Sequence, residues 1–487
     1  MKALHALSLL STLGLLSACT TVGPDYHLPA QAISQQPAAQ GAFHPQDAGL
    51  TSAQPVVSQW WQLYRDPALN ALVEQALQAN TDLRVAAANL QKAMAQARQV
   101  DAERGPHAEV SAAMQRARFS GESFLLPEEL PVTNIGDEGF SVSYQLDLFG
   151  KLKRGEEAAA ANTEAVEAAG NLARITVAAE TVRSYMQICA ANHAYRVQDQ
   201  QLALQKKQLE LTQRLNVAGR VQTTDVLRAQ SQVDSMAASL PHWQAEHDAA
   251  QYKLNMLLGR VAATALPDQV SHCAVEPQLA QLIPLGDGRA LLQRRPDVQQ
   301  AERRLAQATA AIGVATAALY PSITLGASAG YTGVLEDLGQ GNTARFGIGP
   351  LISWSIPDSG ARARVSAATA DSVAALAHFD GVVLNALREV ESSLSSYGKD
   401  LQRLTLLRSA RDQAKLAAEQ NRRLYQAGRS PYLSSLDADR TQVSAESALV
   451  SAQSQLAQDQ VNLFLALGSG WESVAGPAAN PAVQQHE

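Results

Sequence analysis

The stretch RLNVAGR at 214–220 returns as RLYQAGR at 423–429, and the long internal duplication behind it constrains the fold of this 487-residue chain more than any other feature. The offset of 209 persists downstream, pairing Leu227 with Leu436, Ala229 with Ala438, Leu258 with Leu467 and Gly259 with Gly468. Upstream, an offset of 215 pairs Leu77 with Leu292, Asp82 with Asp297, Leu90 with Leu305 and Pro106 with Pro321. One architecture is therefore built twice, at 58–260 and 288–469, with a Pro-rich linker at 261–287 between the copies.

Within each copy the hydrophobic period changes from helical to two and back. Phe140, Val142, Tyr144, Leu146 and Leu148 alternate with Ser141, Ser143, Gln145 and Asp147. The second copy sets Phe346, Ile348, Pro350, Ile352, Trp354 and Ile356 against Gly347, Gly349, Ser353 and Ser355, with Leu351 the exception. A weaker strand precedes each, around Val110, Ala112 and Met114 and around Ile323, Leu325 and Ala327. Each copy thus carries a β-hairpin, at about 108–149 and about 322–356, of strands near the ~10-residue length that crosses a bilayer in a barrel. Four strands cannot close a barrel, and each unsatisfied backbone group on an edge in lipid costs several kcal/mol. Three chains would supply twelve strands, enough for an open lumen lined by the polar and small face. A soluble sandwich with one wet face explains the alternation equally well, but neither the leader described below nor isolated hairpins between long helices.

Behind each hairpin a helical stretch without internal Pro runs over about 157–217 and about 360–426, on the order of 90 Å at ~1.5 Å per residue. Helices of that length need coiled-coil-like partners, and 17% charged with 5% aromatic residues suits close packing through small side chains. A return helix completes helical hairpins at about 157–258 and about 360–467, with Gly219 and Gly428 as left-handed C-terminal caps. The duplicated phrase therefore marks two helical tips. Pro241, whose counterpart is Val450, predicts a kink in the first return helix alone.

Lys2, the run LSLLSTLGLLSA and Cys19 read as a secretory leader at 1–18, too short for a transmembrane helix. Leu16-Ser17-Ala18-Cys19 looks like a lipobox with Cys19 lipidated, and Thr20 in place of Asp resembles lipoproteins sorted to the outer membrane. Residues 19–57 read as an extended arm and 470–487 as a disordered tail. Cys189 and Cys273 form neither a disulfide framework nor a metal cluster, and a bridge between them stays open. A net charge of −7 provides no basic footprint for nucleic acid. GASAG at 326–330 matches the nucleophile-elbow pattern around Ser328, but it sits in an alternating strand rather than a strand-to-helix turn, so no catalytic residue is assigned. His242 and His247 lie off a common helical face, and neither a metal nor any cofactor is expected beyond the lipid on Cys19.

VGPDYHLP at 22–29, WWQLYRDPALNALVEQALQANTDLRVAAANL at 60–90, SYQLDLFGKLKR at 143–154 and RRPDVQQAERRLAQATAAIGVATAALYPSITL at 294–325 resemble the TolC-like outer membrane factors of Gram-negative efflux systems. More narrowly, they are similar to the NodT-type lipoproteins that serve resistance-nodulation-division (RND) pumps. The resemblance implies an α+β membrane protein: a homotrimer with a twelve-stranded β-barrel in outer membrane lipid, continued by a periplasmic α-helical barrel. It also implies an equatorial belt from 58–66, 261–295 and 470 onward. Such a chain is a passive conduit for drugs or other small toxic compounds, closed at its tip until a periplasmic membrane-fusion adaptor and an inner-membrane RND-type transporter engage it. By resemblance, YLSSLDADR at 432–440 places Leu433, Asp437 and Arg440 at the constriction, with Ser434 where some relatives carry a carboxylate. Tyr425 matches an aromatic of the gate network, and TTDVLRAQ at 223–230 offers Asp225 and Arg228 as cross-tip partners. Three copies of Asp437 around an axis would need a counter-charge, whereas an exposed i,i+3 pair with Arg440 is worth a few tenths of a kcal/mol. Two other functions fit parts of the pattern, a structural outer membrane lipoprotein and a duct for peptide or protein export.

Overall fold

The computed structural model describes residues 21–43, 51–52, 54–125, 127–279, 281–356 and 359–471; the leader, Cys19 and the tail beyond 471 lie outside the described residues. The first copy contains α1 (Pro67–Ala79), α2 (Thr81–Ala102), β1 (His107–Ala117), β2 (Thr133–Leu146), α3 (Lys151–Val217), α4 (Thr223–Ala237) and α5 (Leu240–Leu257). The second contains α6 (Gly288–Arg294), α7 (Pro296–Ala317), β3 (Ser322–Val334), β4 (Ala344–Ser353), α8 (Ser359–Gln426) and α9 (Tyr432–Ala466). Ahead of them the arm has helical turns at Ile33–Gln35 and Pro37–Gln40, and Thr51–Ser52 pairs in parallel with Ile283–Pro284 of the linker.

Three boundaries differ from the hydrophobic pattern, each for a local reason. The helix α3 starts at Lys151, not near 157, because the Asp147 carboxylate accepts from the Leu152 and Lys153 amides at 3.1 and 2.9 Å and caps its first turn. In the first return helix, Pro241 produces a break between Ala237 and Leu240, with the Pro in the first turn of α5, where its missing N–H costs nothing. The second return helix, α9, is unbroken through Val450. The strand β4 ends at Ser353, so Trp354 and Ile356 lie beyond the ladder, and the Trp354 indole donates to the Leu319 carbonyl at 3.1 Å.

The chain divides into two compact units, and α3 and α8 contribute residues to both. The first comprises Asn89–Glu167, Gln300–Phe379 and the described part of Met1–Ala30. Its centre is an antiparallel sheet in the order β1-β2-β3-β4, in which the two hairpins pair side by side across the duplication. Register places Phe140 opposite Ala329 and Ala329 opposite Phe346 on one face, and Ser141, Ser328 and Gly347 together on the other. Val110 is 81%, Ile348 86% and Phe346 89% exposed, an apolar surface that a soluble sandwich would bury under a second sheet. The arm is fastened to this unit through Arg154, whose buried guanidinium donates to the Val22 and Gly23 carbonyls and pairs with Asp25 at 2.7 Å and Glu157 at 2.7 Å. A buried cation held by four hydrogen bonds, two of them to carboxylates, is stable only while those partners stay in place.

The second unit comprises Gln31–Ala88, Ala168–Gln299 and the described part of Asp380–Glu487. Its core is centred on Trp60, which stacks on Phe464 with ring centroids 4.6 Å apart and meets Trp61 and Tyr64 edge-on. Asp66 caps α1 by accepting from the Ala68 and Leu69 amides, and the Tyr185 hydroxyl holds the same carboxylate at 2.9 Å. Cys189 of α3 and Cys273 of the linker, left open by the sequence, form a disulfide across 84 residues. Asn192, one turn along α3, donates to the Ser271 and Cys273 carbonyls, so the linker is tied to that helix both covalently and by hydrogen bonds. Because the cross-link closes a long loop in the unfolded chain, Cys189→Ser or reduction is expected to cost roughly 2–4 kcal/mol. Thermal unfolding of the purified protein with and without dithiothreitol measures the loss, and an unchanged midpoint would contradict it.

Candidate functional site: the helical tip

The two tips are built alike. After α3, the Arg220 amide donates to the Leu215 carbonyl at 2.8 Å and Gly219 takes φ 70°. After α8, the Arg429 amide donates to the Leu424 carbonyl at 2.8 Å and Gly428 takes φ 70°. Nothing lies within 4 Å of where a Cβ would stand on either glycine, so the left-handed backbone and not crowding selects Gly.

Between these turns a small core holds the hairpins together: Leu202 and Leu209 of α3, Ala229, Val233 and Met236 of α4, Tyr425 of α8, and Tyr432 and Leu436 of α9. Tyr425 is 5% exposed, and its ring lies 5.5 Å from that of Tyr432. The aromatic that the resemblance assigns to the gate network therefore packs within its own chain, between α3, α4 and α9. Asp225 and Arg228 pair with each other at 3.3 Å, one turn apart on α4. Leu433, Asp437 and Arg440 fall at i, i+4 and i+7 on α9 and share one exposed face. Arg440 turns from Asp437 toward α4 and donates from Nε to the Gln232 side-chain oxygen at 2.9 Å. The opposite face, with Tyr432, Ser435, Leu436, Asp439 and Gln442, is buried.

That buried face holds a group that sequence reading passed over. The Asp439 carboxylate meets the Arg422 guanidinium of α8 at 3.1 Å, and Arg422 also donates to Gln442 at 2.8 Å. Gln201, Gln205 and Gln208 of α3 line the same junction, which leaves a cavity of about 10 Å³, near the lower limit for one water. Burial pushes the Asp439 carboxyl up to about 6, with Arg422 pulling against it, and pushes the Tyr432 hydroxyl up to about 12, with the Asp439 and Asp225 carboxylates adding to the rise. The signal was present: 432, 435, 436, 439 and 442 recur at helical spacing, so Asp439 occupies a core position of α9. Ser328 lies mid-strand opposite Ser141 and Gly347, without the turn a nucleophile elbow requires. Among the described residues no group of His, Cys, Asp and Glu is gathered to hold a metal.

A family model for the outer membrane efflux protein matches residues 72–260 and 288–469. The chain is 30% identical over 482 residues to nodulation protein T of Rhizobium leguminosarum bv. viciae, covering 96% of each. It is 29% identical over 492 residues to the toluene efflux pump outer membrane protein TtgC of Pseudomonas putida, covering 98% of each. Among solved structures, the outer-membrane channel OprN matches with a TM-score of 0.86 at 35% identity, over 93% of this chain and 100% of that one.

Because Asp439 binds its proton more tightly in the packed tip than in an unfolded chain, its contribution to stability is present in acid and is lost as pH rises through about 6. The tip is therefore expected to weaken from pH 5 to pH 7.5, by on the order of 2 kcal/mol, and Asp439→Asn to remove that slope. Hydrogen exchange of amides in α8 and α9 beside the turn, in both proteins across that range, reads the difference. Equal slopes would refute it.

Proposed function

The chain belongs to the outer membrane efflux protein family, and on that premise we propose that it is the exit duct of a tripartite pump, closed at the tip by the α9 face bearing Leu433, Asp437 and Arg440. It is an outer membrane channel of the α+β class, with four strands per chain in a trimeric twelve-stranded barrel continued by an α-helical barrel. The observation that carries the gate is the division of α9: one face is sealed against the chain's own helices, and the other is left uncovered with Leu433 58% exposed. Around a threefold axis, that uncovered face brings three copies of each side chain together. Three Asp437 carboxylates repel at close range unless counter-charges from neighbouring chains hold them, so closure depends on contacts between chains and yields to a partner that separates them.

The partners of this reading are a periplasmic membrane-fusion adaptor at the tips and an inner-membrane RND-type transporter behind it. The cargo is drugs or other small toxic compounds. Ser141, Ser143, Ser328, Gly347 and Gly349 line the small face of the sheet, which offers water-filled passage and no specific pocket, so selection of cargo falls to the transporter. No cofactor is proposed for such transport beyond the covalent lipid on Cys19, which serves as a membrane anchor.

Two measurements test these statements. In planar bilayers the wild type is expected to show a small, closed-like conductance, and Asp437→Ala a conductance several-fold higher; a freely conducting wild type unaffected by the substitution would move the gate elsewhere. Metabolic labelling with palmitate should mark the wild type and not Cys19→Ser, and equal labelling would exclude Cys19 as the lipid site.

A further inference from the structure

Near the loop end of the sheet, away from the helices, the small-residue face carries a linked set of polar side chains. Asp137 of β2 stands opposite Thr332 of β3, and Arg345 of β4 stands opposite Gly330. The Arg345 guanidinium pairs with the Asp137 carboxylate at 2.8 Å, and its Nε donates to the Thr332 hydroxyl at 2.7 Å. That hydroxyl in turn donates to the second Asp137 oxygen. Both charged side chains are 39% exposed, so the pair is wetted rather than buried.

Gly139 makes this arrangement possible. A Cβ on Gly139 would stand 2.9 Å from Arg345 Nη2, so the missing side chain lets the guanidinium lie along the sheet instead of standing off it. The other ionisable groups on that face of the strands are Glu109, opposite Ser141, and His107, opposite Ser143, both toward the helix end. Glu138 lies on the other face, opposite Tyr331. The small face therefore sets two carboxylates, Glu109 and Asp137, against one guanidinium, Arg345, in each chain.

We propose that the Asp137–Arg345 pair determines charge selectivity at the outer mouth of the barrel, by holding three guanidinium groups against the wall with their charge offset. The proposal rests on the conduit reading above. With the pair intact, the lumen keeps the mild preference for cations that Glu109 confers. Without Asp137, three guanidinium groups offset Glu109 and the preference for cations falls. Without Arg345, six carboxylates face the lumen and the preference rises. Rings of charged side chains bias pore selectivity in this way because an ion entering the mouth crosses their field.

Reversal potentials in a KCl gradient across planar bilayers, for the full-length wild type, Asp137→Asn, Arg345→Gln and the double variant, test this directly. The ratio of potassium to chloride permeability is expected to fall about twofold or more in Asp137→Asn and to rise about twofold or more in Arg345→Gln. In the double variant it is expected to return to the wild-type value, because the two changes cancel; this also separates charge from damage to the barrel. One unchanged ratio in all four conducting proteins, or a double variant that keeps the Arg345→Gln ratio, overturns the proposal while leaving the conduit intact. A protein that conducts in none of the four forms removes the conduit reading and the proposal with it.

Discussion

A β-strand in lipid has no water to satisfy its backbone, and the four-stranded sheet β1-β2-β3-β4 has two open edges, at β1 and at β4. Much of the rest of the molecule follows from that pair of edges. A chain that buries them does so against copies of itself, and three copies pairing edge to edge close a twelve-stranded barrel. The sheet is built for that closure: its apolar face is exposed in the chain, and its opposite face is dominated by Ser, Gly and Thr with a few charged side chains. A barrel of twelve strands is wide enough that this inner face meets water rather than a packed core, so small and polar residues suffice there. Beneath the longest charged side chain on it, Arg345, lies a glycine, Gly139.

The helical half meets a similar demand by a different route. Long helices that border a water-filled lumen on one side and neighbouring helices on the other cannot use bulky side chains throughout. The buried positions of α3 are accordingly rich in alanine, with Ala165, Ala168, Ala178, Ala179, Ala190, Ala191 and Ala194 all within the packed surface. Large side chains are concentrated where a wide core exists, around Trp60, Phe464 and Tyr185. At the tip the core shrinks to eight residues, and packing gives way to an ion pair and glutamine side chains. Fewer buried apolar contacts mean lower local stability, which is where an element that must move is expected to lie.

The features legible in the sequence were those set by period and backbone. The duplication, the two-residue alternation at Phe140 and Phe346, and the glycines at 219 and 428 each follow from local rules that need no knowledge of neighbours. The disulfide between Cys189 and Cys273 was not legible, because it joins a helix to a linker 84 residues away and no spacing rule predicts that meeting. The Asp439–Arg422 pair escaped for a different reason. A charged residue on a helix is ordinarily taken as solvated, and only the core spacing of its neighbours shows that this one faces inward. The Asp137–Arg345 contact links strands 208 positions apart and became visible once register was known.

The two copies have kept their turns and much of their return helices, but these helices differ at one point, where Pro241 stands against Val450. If the copies were identical, three chains would present six equivalent helical hairpins. The break between α4 and α5 changes that. Pro241 removes an amide donor from the first return helix, and Ser239 satisfies the Met236 carbonyl with its own hydroxyl at 2.7 Å. α9 runs unbroken through the corresponding position, with all of its backbone ladder in place. The helix carrying Leu433, Asp437 and Arg440 near its start is thus continuous from Tyr432 to Ala466, whereas its counterpart is two helices, Thr223–Ala237 and Leu240–Leu257. The sequence difference between Pro241 and Val450 thus makes the two helical hairpins of each chain unlike, and the six hairpins of a trimer fall into three unlike pairs.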